Sequence, residues 1–136
     1  MMYDLHLARE PAESEIAASL GDAFGVTPGQ IVIVAETAGL DFSSPNVLLV
    51  VQRTRRGGGF PCSLSVYPQT TALASRAEDD IARAAARCLH CDCLISDDSP
   101  NPYSWQIISP DGTARHVFVD VNAFDDRGEF RFANSN

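Results

Sequence analysis

Tyr103, Trp105 and Ile107 alternate with Ser104 and Gln106, and further on Val117, Val119 and Val121 alternate with His116, Phe118 and Asp120. This period of two flanks Ser109-Pro110-Asp111-Gly112, where proline presets the second turn position and glycine frees the last. The pattern predicts a long antiparallel hairpin over Tyr103–Val121. Trp105 is expected to face the core and His116 to lie on a sheet face among the valines.

Two stretches switch to helical spacing. Ile16, Leu20 and Phe24 recur every four residues and, with Ala12 and Ala17, mark one apolar face. Pro11 suits a first helical position, Glu13 and Glu15 complement the dipole, and Gly25 ends the helix. Gly21 inside it lowers propensity, so this helix should depend on packing. The second helix is expected to open at Ser75 with a capping box to Glu78. Its buried stripe is Ala77, Ile81, Ala85, Cys88 and Leu89, and it should end near His90.

Strands are expected at Gln30–Ala35, Val47–Thr54, Cys62–Tyr67 and Cys93–Ser96. The run Val47–Val51 is apolar throughout and reads as central. Tyr3, Leu5 and Leu7 permit a short opening strand, and Glu129–Phe132 a final edge strand. The chain from 1 to 136 then reads as one α+β domain. It holds a mainly antiparallel sheet of about six strands with two helices, in the order α-β-β-β-α-β-β-β.

Composition narrows the function. Hydrophobic residues make up 45% of the 136, enough for a folded core. No apolar run nears the ~20 residues of a membrane span, and MMYDLHLARE lacks the features of a secretion leader. A cytoplasmic protein is expected. Eighteen acids oppose ten bases for a net charge of -8, and every base is arginine. Residues 1–52 carry seven acids and one arginine; residues 88–136 carry eight acids and three arginines. Such a surface repels phosphate backbones, argues against nucleic acid, and attracts a basic protein.

Cys88-Leu89-His90-Cys91-Asp92-Cys93 holds a CxxC spacing. Ligands this close in sequence cannot readily surround a tetrahedral ion, and a helix C-terminus disfavours thiolates. Cys88 is therefore read as core, with Cys91 and Cys93 lining a turn. Cys88, His90, Cys91 and Cys93 remain the metal candidates, and no cofactor is expected. Arg55-Arg56-Gly57-Gly58-Gly59 lacks a phosphate-loop pattern and leads into a strand, so it reads as a hairpin tip with solvated arginines. There is no GxSxG elbow, and the acid pairs Asp97-Asp98 and Asp125-Asp126 lie in turns, where acids cap backbone groups.

The remaining signal is a charged, aromatic C-terminal segment. Asp97, Asp98, Asp111, Asp125, Asp126 and Glu129, with Tyr103, form the expected partner-binding set. In size, charge and class the chain resembles the immunity proteins that bacteria pair with secreted toxins, including contact-dependent inhibition systems. That resemblance implies binding and blocking a cognate toxin domain, often a basic nuclease, with no catalysis of its own. Residues 11–90 are also similar in element order to type III secretion chaperones, from which the C-terminus departs; a monomer and a homodimer are both open. A metal- or thiol-dependent protein built on Cys88–Cys93 is the third reading.

Overall fold

A computed structural model describes residues 2–35, 46–97, 100–101, 103–120 and 132. In chain order the elements are β1 (Tyr3–Leu7), α1 (Glu13–Phe24), a 3-10 turn (Pro28–Gln30), β2 (Ile31–Val34), β3 (Leu49–Arg55), β4 (Cys62–Pro68), α2 (Thr71–Ala74), α3 (Glu78–Leu89), β5 (Cys93–Ser96), β6 (Ser104–Ile108) and β7 (Ala114–Phe118). The described strands form one sheet in the order β2-β3-β4-β1-β5-β6-β7. The domain is α+β, as expected, with three corrections.

First, the sheet has seven strands and is mixed, because β2 and β3 run parallel, Ile31 opposite Leu49. The connection from residue 35 to 48 is long enough for the crossover of roughly a dozen residues that a parallel return requires. Second, β1 is the central strand, paired antiparallel with β4 along its whole length and with β5 at His6 and Leu7. Third, α2 is an additional one-turn helix and displaces the start of α3. Ser75 terminates α2, and α3 begins after Ala77 with no side-chain cap. Glu78 does not close a box with Ser75; its Oε2 accepts from the Asp4 amide at 3.3 Å.

Alternation along the strands builds two apolar layers. On one face Tyr3, Leu5, Leu7, Val51, Leu64 and Ile95 pack under α1 and α3, meeting Ile16, Leu20, Phe24, Ile81 and Leu89. On the other, Leu94 and Ile107 meet Phe60 and Val119, with Trp105 and Phe132 against them. Burying each such large side chain contributes about 1.5–3 kcal/mol relative to leaving it exposed. The two helices bind the sheet through β1 as well as through each other: the Tyr3 hydroxyl donates to the Arg76 carbonyl at 2.5 Å. Arg9 donates to the Leu89 carbonyl at the C-terminus of α3, where a cation opposes the dipole, and to Glu15 at 2.8 Å.

α1 ends as its glycine predicts, with Gly25 left-handed at φ 72°. Gly21 is a different case. A Cβ there would lie 2.7 Å from the Val26 carbonyl oxygen, so the return of the chain toward β2 rests directly on the bare helix backbone. Alanine would gain ~1 kcal/mol of propensity, yet Gly21→Ala is expected to lower stability by about 1–3 kcal/mol through displacement of that turn. Urea unfolding of this variant measures it, and unchanged or raised stability would show that the turn yields freely.

His6 occupies the opposite face of β1, only 6% exposed, with its ring 5.6 Å from Trp105 in edge contact. The Arg56 Nε donates to Ser63 Oγ at 2.8 Å, and the same oxygen is hydrogen-bonded to His6 Nδ1 at 2.7 Å. Burial, reinforced by the Arg56 charge, pushes the imidazole down to about 3 from its ordinary 6.5. The unfolded chain therefore takes up the proton first. Stability conferred by the neutral ring is complete above pH 6.5 and is lost as pH falls toward 3, at ~1 kcal/mol per pH unit. In His6→Gln this component of the slope should vanish. Parallel urea titrations of both proteins between pH 6.5 and 4.5 test it, and identical slopes would refute the assignment.

Candidate functional site

β1 and β5 stay paired only at His6–Leu94 and Leu7–Cys93. Beyond them the two strands part, and the N-terminus of α3 sits over the opening, with Glu78 satisfying the Asp4 amide. Between the start of α3 and the strands β5 and β6 lies a cleft of about 410 Å³ lined by Ala77, Glu78, Asp79, Ile95, Ser96, Asp97 and Gln106. Three of its seven lining residues are carboxylates and none is basic. The acids on α3 are stabilised there by the helix dipole, and Asp79 also pairs with Arg83 at 2.9 Å.

Asp97, at the end of β5, reaches across to the hairpin. Its side chain is 7% exposed and accepts from Ser104 Oγ at 2.5 Å and from His116 Nε2. Ser104 and His116 also meet, at 2.5 Å. The hairpin has the expected turn, with the Gly112 amide bonded to the Ser109 carbonyl, and its register sets Gln106 opposite His116. His116 consequently lies on the helix side of the sheet with Ser104, and not among the valines. Its ring contacts Phe118 edge-on at 5.0 Å.

A serine, a histidine and an aspartate in contact invite comparison with a hydrolytic relay, and the connectivity differs. In a relay the two ring nitrogens serve the acid and the nucleophile separately. Here the same Nε2 faces both Asp97 and Ser104, and the serine hydroxyl itself meets the carboxylate. That bond occupies the serine proton, and Ser104 is only 4% exposed. The geometry ties β5, β6 and β7 together at their open end.

The expected binding residues do not form one patch. Asp97 lines the cleft, and Asp111 sits at the exposed hairpin tip, where the Thr113 amide and hydroxyl hold its carboxyl below the usual range. Tyr103 packs half-buried against the Phe60–Leu94–Ile107 layer on the far face. Asp98, Asp125, Asp126 and Glu129 lie outside the described residues.

The cysteine cluster is arranged opposite to expectation. Cys88 is exposed, whereas Cys62, Cys91 and Cys93 are buried in the core. α3 turns Ala82, Ala85 and Ala86 inward and leaves Cys88 on its outer side, so the CxxC pair is split between solvent and core. Burial pushes the Cys62, Cys91 and Cys93 thiols up, which disfavours the thiolate a metal requires. His90 ends the helix in the left-handed region at φ 54° and is exposed. Among the described residues, no group of three or more His, Cys, Asp or Glu converges to hold an ion. At the arginine tip Arg55 stays largely exposed while it pairs with Glu10 at 2.9 Å, and the less exposed Arg56 holds Ser63.

Sequence reasoning passed over Ser104, Gln106 and His116 as neighbours. The signal was present in the turn, since residues equidistant from it must face each other. The reach of Asp97 required the β5–β6 register as well. If the cluster is a tie, Ser104→Ala should lower stability by about 1–2 kcal/mol in urea unfolding. A fluorophosphonate probe should leave Ser104 unlabelled in the intact protein, and its modification, read by peptide mass spectrometry, would reinstate a nucleophile. Comparison of the chain with protein-family models, with curated proteins and with solved structures finds no match.

Proposed function

We propose that the chain is a small acidic binding protein that neutralises a cognate basic protein, in the manner of an immunity partner to a secreted bacterial toxin. The carboxylate-lined cleft between the start of α3 and the strands β5 and β6 carries this reading. It concentrates negative charge at one end of the sheet in a chain whose net charge is already -8. The arginines support the same reading by their placement: Arg9, Arg55, Arg56, Arg83 and Arg115 each meet an acid, a carbonyl or a hydroxyl of their own fold.

Such a protein would act by occlusion. Its field would speed encounter with a basic surface, and short-range contacts would then set the lifetime of the complex. The partner would be held in the cytoplasm of the producing cell, away from its target. Binding to the product of the adjacent gene, measured by surface plasmon resonance with the whole chain, tests this directly. Association is expected to slow about tenfold or more as salt rises from low to high ionic strength. Co-expression should also restore growth to cells making that product. A neighbouring product that neither binds nor is neutralised would remove the proposal.

A further inference from the structure

α3 covers the sheet as far as β5 and the near side of β6, while Ala114, His116 and Phe118 of β7 are exposed on that same side. Phe118 is 49% exposed and, with Met2, is one of the two large hydrophobic side chains exposed among the described residues. It stands opposite Ser104 across the hairpin and against the His116 ring. From Phe118 the contacts lead through His116 to the buried carboxylate of Asp97, a lining residue of the acidic cleft.

Taking the partner to be basic, as proposed above, we infer that this face, from Phe118 to the cleft, is where it docks. The cleft receives one arginine side chain of the partner, and Phe118 packs beside it. Glu78 and Asp79, with the largely buried Asp97 behind them, make the opening acidic, and Gln106 lines it from β6. A guanidinium matches such a set because it is planar, always charged and carries five donors. Ile95 and Ala77 give its methylenes an apolar wall. Exposed aromatic surface next to a buried charge site has the chemistry of an interface anchor.

Nitrogen-15 NMR of the whole chain, titrated at low salt with a capped hexapeptide alternating arginine and valine, tests the assignment. Amide shifts should concentrate at Ser96, Asp97, Ser104, Gln106, His116 and Phe118. A matched peptide with citrulline in place of arginine should leave them unmoved. Phe118→Ala, and separately Glu78→Gln, which keeps an acceptor for the Asp4 amide, should each weaken the arginine peptide about tenfold. Equal response to the citrulline peptide, shifts confined to other acidic surfaces, or no shifts would overturn this docking face. The gene-neighbour assay judges the broader proposal independently, since a partner that binds while the peptide maps elsewhere leaves the neutralisation reading standing and this site refuted.

Discussion

The structure depends on one short strand. β2, β3 and β4 form one half of the sheet, β5, β6 and β7 the other, and β1 is what lies between them. Both faces of β1 are filled, by Tyr3, Leu5 and Leu7 beneath the helices and by His6 on the other side. Its polar groups are tied as closely: the Tyr3 hydroxyl to the loop before α3, the Asp4 amide to Glu78, and the Asp4 carboxylate to the Ser65 hydroxyl at 3.0 Å. Five residues thus organise elements drawn from nearly the entire described chain.

The same strand sets the place of Glu78. The ladder continues along the whole of one edge of β1 and stops after two pairs on the other. An amide left bare at the parting would be costly, by about 1–3 kcal/mol. Glu78 removes that cost by standing in for the missing carbonyl. A residue that looks like ordinary first-turn charge is therefore both a structural acceptor and part of the acidic lining.

Local features were legible in the residues, and nonlocal ones were not. The hairpin at Ser109–Gly112, the Gly25 terminus and the end of α3 at His90 follow from chemistry within a few positions. The centrality of Tyr3–Leu7 does not, because a five-residue alternation looks alike at an edge and at a centre. The Ser75–Glu78 box failed for the same reason: Glu78 had a better partner in Asp4, far away in sequence. Cys88 was misplaced because small alanines, Ala82, Ala85 and Ala86, can supply a packing face as well as large residues do. Of the site, the acidity was readable and the gathering of Asp97, Ser104 and His116 was not. That gathering needs two strand registers at once.

The place of β1 also sets an order of events during synthesis. During synthesis β1 can pair with β4 once residues 62–68 have emerged, but its other edge has no native partner until residues 93 and 94 are made. Through that interval a strand of mostly apolar residues presents an open edge, the condition under which nascent chains associate wrongly. Closure of the two-pair seam with β5 then joins the halves in a single late step, across most of the chain's length. The centre of the sheet is therefore secured only after about two thirds of these residues have been made, later than the β3–β4 pairing beside it.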